Sequence, residues 1–234
     1  LLFRGMSKSL KGCVTADGCT FAAAMQEGVS AADNAVMKPA EGTILTVSRL
    51  AAAQAAATAR EDNSAEVVLE AAIREGYVAL ADTVNQNPVL KKAGVVDAGG
   101  KGFLIILQGM LDSLRGEPLP EGDEEESTST TREKADFGDF STEEIQFGYC
   151  TEFICSRDSK KDPEALRGFL SALGDSLVLV DDDEIIKVHV HTNHPGKVLE
   201  EAITYGPLQT VKIENMRNQH TEILEEAAGH PAEQ

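Results

Sequence analysis

Apolar side chains recur every three to four residues through the first half of the chain and every second residue through much of the second half. The first period belongs to helices that bury one stripe, the second to strands that bury one face. In the first half, Ile73, Tyr77, Leu80 and Val84 make one stripe, and Phe103, Leu107, Met110 and Leu114 make another. Asp17 is placed to cap a helix over 18–37 and Ser64 one over 64–85; two more are predicted over 43–60 and 102–115. The run Val95-Val96-Asp97-Ala98-Gly99-Gly100-Lys101-Gly102 reads as a glycine-rich loop feeding the last of these. Residues 1–117 are therefore expected to form a helical domain. The chain opens Leu1-Leu2-Phe3-Arg4 without Met or a cap, as if in mid-helix, so it reads as a fragment of something longer.

Both periods fail between the halves. Pro118, Pro120 and Gly122 lead into Asp123-Glu124-Glu125-Glu126 and a Ser/Thr run. Such a segment cannot bury enough apolar area to offset its ordering entropy, so 118–144 is expected to be a flexible acidic linker.

Beyond it the period is two. Ile145, Phe147, Tyr149 and Phe153 alternate on one strand, with Cys150 on the other face and Cys155 on the aromatic, core side. A helix follows from Asp162 as N-cap and Pro163 at the first position, ending at Gly174. Then come strand Leu177-Val178-Leu179-Val180, an acidic turn at 181–184 and strand Ile185-Ile186-Lys187-Val188-His189-Val190-His191. A second helix runs from near Pro195 to Gly206, and a last strand covers 208–214. The order β-α-β-β-α-β is the ferredoxin-like pattern, an α+β fold in which the first and third strands are neighbours and both helices cover one face. That places Cys150, His189 and His191 together on the uncovered face of a domain spanning 145–222, with 223–234 left as a tail.

Charge narrows the partners. The formal net charge is −18, concentrated in the linker and the second half. Residues 1–117 hold 11 basic and 13 acidic side chains, 118–144 hold 2 and 10, and 145–234 hold 8 and 16. Phosphate-rich partners would be repelled, which argues against nucleic acid or an anionic membrane surface. No apolar run approaches the roughly 20 residues of a transmembrane helix. Four Cys in 234 residues make no disulfide framework and fit a reduced, cytoplasmic setting. Cys13 and Cys19 are expected to be small buried residues.

A thiolate and two neutral imidazoles suit Zn²⁺, and three protein ligands with an open fourth position is the layout of a reactive site. His194 stands just beyond the strand as a further candidate ligand, and Glu152 or Glu214 could take the other ring N–H of a ligating His. The same two imidazoles equally suit a sheet face packed on a second protomer. The loops Lys38-Pro39-Ala40-Glu41-Gly42-Thr43 and Asp97-Ala98-Gly99-Gly100-Lys101-Gly102 each precede a helix whose free N–H groups could meet a phosphate. Neither matches a P-loop or dinucleotide fingerprint, and by spacing alone they serve as interhelical turns. The acidic runs at 123–126, 181–184 and 225–226 lack the spacing of a calcium loop and read as solvated turns.

Two sets of motifs then resemble a known family. Val36-Met37-Lys38-Pro39-Ala40-Glu41-Gly42-Thr43-Ile44-Leu45-Thr46-Val47 with Gly94-Val95-Val96-Asp97-Ala98-Gly99-Gly100-Lys101-Gly102 resembles the nucleotide-binding domain of the dihydroxyacetone kinase family. Phe147-Gly148-Tyr149-Cys150-Thr151-Glu152-Phe153, Leu173-Gly174-Asp175-Ser176, Lys187-Val188-His189-Val190-His191-Thr192 and Lys212-Ile213-Glu214-Asn215-Met216 resemble the middle domain of the ATP-binding component of bacterial fatty acid kinase. The resemblance implies an all-α helical barrel, incomplete here, followed by a metal-binding, dimerising middle domain. It implies a kinase that uses ATP and Mg²⁺ to phosphorylate a fatty acid held by a separate fatty-acid-binding protein. Residue by residue it points to Gly42, Thr43, Asp97, Gly99 and Gly100 on the nucleotide side and to Cys150, His189 and His191 as metal ligands. The family's Mg²⁺-binding Asp loop has no counterpart in 1–117, so the chain alone is expected to be inactive. Two rivals remain: a dihydroxyacetone-type kinase of a small polyol, and a non-catalytic metal-binding scaffold.

Overall fold

The computed structural model describes residues 1–117, 146–158, 160–182 and 184–218. The expected linker at 118–144, Ile145 and the tail at 223–234 lie outside them. The described chain forms two units, one from 1–34 and 39–117, the other from 35–38 and 146–218.

The first unit is helical: α1 (Leu2–Ser9), α2 (Gly18–Ala35), α3 (Ile44–Thr58), α4 (Ala65–Gln86), α5 (Pro88–Ala93) and α6 (Ala98–Arg115). Side chains start most of them. Asp17 accepts from the Thr20 N–H at 2.9 Å, Thr43 from Leu45, Ser64 from Val67 and Asp97 from Gly100, each satisfying an otherwise orphaned donor. Gly94 and Gly116 end α5 and α6 in the left-handed conformation. The alanine-rich α3 packs on α4 and α6, with Val47, Ala51 and Ala55 fully buried.

Several expectations are corrected. α6 begins at Ala98, so the glycines after Asp97 form the first turns of the helix rather than a loop before it. α5 was not anticipated; its signal is Asn87-Pro88, a cap with proline at the first position. α2 ends at Ala35, two residues early, because 36–37 leave for the second unit. The expected stripes are rotated. Tyr77 is 44% and Leu114 59% exposed, whereas Leu69, Ala72, Gly76 and Ala79 of α4 and Leu104 and Leu111 of α6 are buried. Large residues marked the stripe in the sequence, but helices approach closest where side chains are small. Cys13 and Cys19 are exposed, not buried; the Cys19 thiol reaches the Ala59 carbonyl at 3.3 Å.

The second unit runs β1 (Tyr149–Ser156), α7 (Pro163–Leu173), β2 (Gly174–Asp181), β3 (Ile185–Thr192), α8 (Pro195–Ala202) and β4 (Leu208–Asn215). The sheet order is β2-β3-β1-β4 and every pairing is antiparallel. β1 and β3 are the central pair. α8 ends at Ala202, and a turn replaces its expected last residues. Phe153, Cys155, Leu177, Leu179, Ile186, Val188 and Val190 pack with Leu166 and Leu170 of α7 and Val198 of α8. Val211 and Ile213 share this face but remain 45% and 43% exposed, since the helices pack on β1, β2 and β3. Residues 36–37 extend the sheet: Val36 bridges Val178, and the Met37 N–H donates to the Leu177 carbonyl at 3.1 Å. No helix among the described residues is long and apolar enough to cross a membrane.

The rotated stripe of α6 gives a direct expectation. Leu107→Ala should cost about 2–5 kcal/mol, whereas Leu114→Ala should stay within about 0.5 kcal/mol. Urea unfolding of the two variants checks it; equal losses would place the buried face where the sequence pattern alone puts it.

Candidate functional site

β3 supplies both imidazoles. Its alternation buries Ile186, Val188 and Val190 on the helix side and turns His189 and His191 to the other face. Pairing then supplies their neighbours. On β1, Cys150 stands opposite His191 and Glu152 opposite His189. On β2, Asp175 stands opposite His191. Cys150, His189 and His191 each offer a ligand atom, and all three atoms lie within 4.8 Å of one another. The Cys150 Sγ is 3.8 Å from the His189 Nδ1.

The ring orientations follow from the carboxylates. His189 Nδ1 lies 2.8 Å from Glu152 Oε1, and His191 Nδ1 lies 3.4 Å from Asp175 Oδ1. A carboxylate can only accept, so each ring carries its N–H at Nδ1 and, when neutral, a bare lone pair at Nε2. Those two Nε2 atoms are 3.2 Å apart. Two facing lone pairs at that distance call for a positive charge between them, a proton or a metal ion. Two nitrogen ligands on a tetrahedral Zn²⁺ are separated by about 3.3 Å, given Zn–N bonds near 2.0–2.1 Å. The donor set and its spacing therefore fit zinc.

Protonation states agree. Burial pushes the Cys150 thiol up, helped by the charges of Glu152 and Glu214 and opposed by Lys212. It holds its proton until a cation displaces it. The hydrogen bond to His189 holds Glu152 below the usual carboxylate range. Burial, and then the neighbouring His189, push His191 down, against the pull of Asp175. His194 is not part of the trio; it opens α8, its N–H donating to Thr192 Oγ1. Glu214 does not touch either ring among its recorded contacts and pairs with Lys212 at 2.9 Å.

Asp175 is the residue that sequence reasoning missed. The strand was expected to begin at Leu177, and simple alternation with Leu177 and Leu179 would send Asp175 to the core.

The nucleotide-side residues also gather. Gly42 has φ +72°, and a Cβ there would lie 2.9 Å from both the Thr83 carbonyl oxygen and the Asn87 nitrogen. The Asp97 N–H donates to Thr83 Oγ1 at 3.1 Å, and Asp97 Oδ2 accepts from the Gly100 N–H. Both loops thus lean on the end of α4. A Cβ on Gly100 would lie 2.9 Å from Val47 of α3, and one on Gly99 would lie 3.4 Å from Ile44. The Gly42 N–H donates to Thr46 Oγ1, Thr46 to Glu41, and Arg49 grips both Glu41 oxygens at 2.8 and 2.7 Å. Thr43 Oγ1 donates to the Ala40 carbonyl at 2.8 Å. Thr83, Glu41 and Arg49 were not foreseen.

Comparison with known proteins gives the class. Residues 1–112 match the DAK2 domain, and residues 146–223 match the FakA-like middle domain of fatty acid kinase. The chain belongs to the FakA-like family of fatty acid kinase proteins built on a DAK2 domain. It is 42% identical over 230 residues to protein YloV of Bacillus subtilis, covering 95% of this chain and 42% of that protein. It is 43% identical over 228 residues to a protein of Staphylococcus saprophyticus, covering 95% of this chain and 41% of that one. The chain therefore spans about two fifths of the length of these relatives.

In metal-free protein His191 should titrate below its ordinary value of 6.5, as followed by NMR. Its folded pKa lies below the unfolded one, so the unfolded chain binds the extra proton first. Stability of the second unit should then fall as pH drops below 6.5 and level off under the folded value. Glu152 acts in a separate window, below its ordinary 4.5. A His191 midpoint at or above 6.5 contradicts the burial argument.

Proposed function

We propose that this chain is part of an ATP-dependent kinase that phosphorylates a fatty acid presented by a separate fatty-acid-binding protein. The γ-phosphoryl group passes from ATP to a carboxylate oxygen, giving acyl phosphate and ADP. The observation that carries this reading is the tandem order of a DAK2 domain and a FakA-like middle domain in one chain.

In this reading the first unit is part of a helical nucleotide-binding barrel. Gly42 and Thr43 border the nucleotide from one loop, and Asp97, Gly99 and Gly100 border it from another. The convergence of these loops on Thr83 and Asn87 supports that placement. Phosphoryl transfer needs Mg²⁺ and donors around the γ-phosphate. Those groups are assigned to parts of the intact kinase other than this chain.

The second unit, of ferredoxin-like topology, is assigned a zinc ion held by Cys150, His189 and His191, and a role in homodimerisation. A zinc ion there supplies a Lewis acid or a rigid cross-link between β1 and β3. The chain's own part is to hold Cys150 poised for deprotonation and to present both Nε2 atoms on one face.

The test is acyl phosphate formation by the intact protein with ATP and a lipid-loaded partner. The expected result is turnover that requires both the partner and the nucleotide. Phosphorylation of dihydroxyacetone, with none of the lipid-loaded partner, would instead assign a polyol kinase. Full turnover with His189→Ala and His191→Ala combined would remove any catalytic role for the metal.

A further inference from the structure

β2 breaks its regular pairing at one place. Val178 stands opposite His189 and Asp175 opposite His191, so three residues of β2 span the two steps that β3 takes. The extra residue makes a β-bulge. Ser176 within it has φ +52°, the only non-glycine positive φ recorded among the described residues. That conformation is uncommon for a residue with a Cβ, and it is held here for a geometric result. Counting back by twos from Val178 would bring Ser176 opposite His191 and turn Asp175 toward buried Leu177 and Leu179. The bulge reverses the parity and brings the Asp175 carboxylate to 3.4 Å from His191 Nδ1.

Across β3 the arrangement is mirrored. Glu152 of β1 reaches His189 Nδ1 at 2.8 Å. Two carboxylates from two different strands therefore each occupy the Nδ1 side of one ring. Their common effect is that both Nε2 atoms turn inward and meet at 3.2 Å.

We propose that Asp175 and Glu152 are positioning residues of the metal centre, and that the bulge at Ser176 exists to deliver Asp175 to it. By accepting from Nδ1–H they fix each imidazole in the tautomer and rotation that present Nε2 to a divalent ion. They also offset the ion's charge: one thiolate and two nearby carboxylates surround a dication. The proposal rests on the zinc-centre reading above. Neither carboxylate is a ligand in it.

The experiment is chelator-competition measurement of zinc affinity on the 234-residue chain. The variants are Asp175→Ala, Asp175→Asn, Glu152→Ala and, as a nearby carboxylate without a ring contact, Glu214→Gln. Loss of an outer hydrogen-bond partner of a ligating His lowers metal affinity by about 10–100-fold. That loss is expected for Asp175→Ala and Glu152→Ala, with a smaller one for Asp175→Asn, whose amide oxygen still accepts. Glu214→Gln should bind like wild type. The thermal midpoint of the metal-free Asp175 variants should match wild type, while the visible bands of the cobalt-substituted protein should shift. Should Asp175→Ala fail to fold, the isosteric Asp175→Asn carries the comparison. Wild type that binds no zinc sinks the metal-centre reading itself. Wild type that binds zinc beside a folded Asp175→Ala of affinity equal within about twofold overturns the positioning role alone.

Discussion

Two imidazole nitrogens facing each other across 3.2 Å set the terms for the second unit. Left alone, their lone pairs repel. The surrounding structure nonetheless forces them together from three sides. β3 fixes their spacing through its period of two, Glu152 and Asp175 fix their rotation, and the buried row of Ile186, Val188 and Val190 fixes which face they occupy. A one-residue slip of β3 would carry all five side chains to the wrong face at once, so the core that stabilises the sheet also enforces the register of the site.

The first unit shows a different economy. Its nucleotide-side residues are built into helix starts, and most of their polar groups are engaged locally: Thr43 with Ala40 and Leu45, Asp97 with Gly100, Gly42 with Thr46. The loops owe their shape to glycine at two kinds of place. Gly42 supplies a left-handed turn against the backbone of α4, and Gly100 lets α6 begin against Val47. The same residues that suggest a nucleotide site in the sequence are thus required by packing, which explains why spacing alone could not separate the two roles.

How much could be read in advance depended on whether a signal was local. Caps at Thr43, Ser64 and Asp162 were legible because each acts within one turn of its own position. The meeting of Cys150, His189 and His191 was legible because strand parity and strand order suffice for it. Asp175 was not, since a bulge changes parity and Ser176 carries no glycine to announce it. Tyr77 and Leu114 were misplaced because the buried face of a helix is chosen by its neighbours, and those neighbours meet it at Ala72, Gly76 and Ala79. The departure of Val36 and Met37 to the second unit was invisible for the same reason: the partner lies far along the chain.

That departure has a consequence for how the protein is made. An exposed strand edge invites pairing with other chains. Here part of the β2 edge is closed by Val36 and Met37, which leave the ribosome long before Leu177 and Val178 do. Synthesis order therefore runs opposite to need: the cover is ready and waiting, and the edge never emerges without it. A chain cut between its two halves would reverse that timing, giving the sheet an open border from the moment it forms.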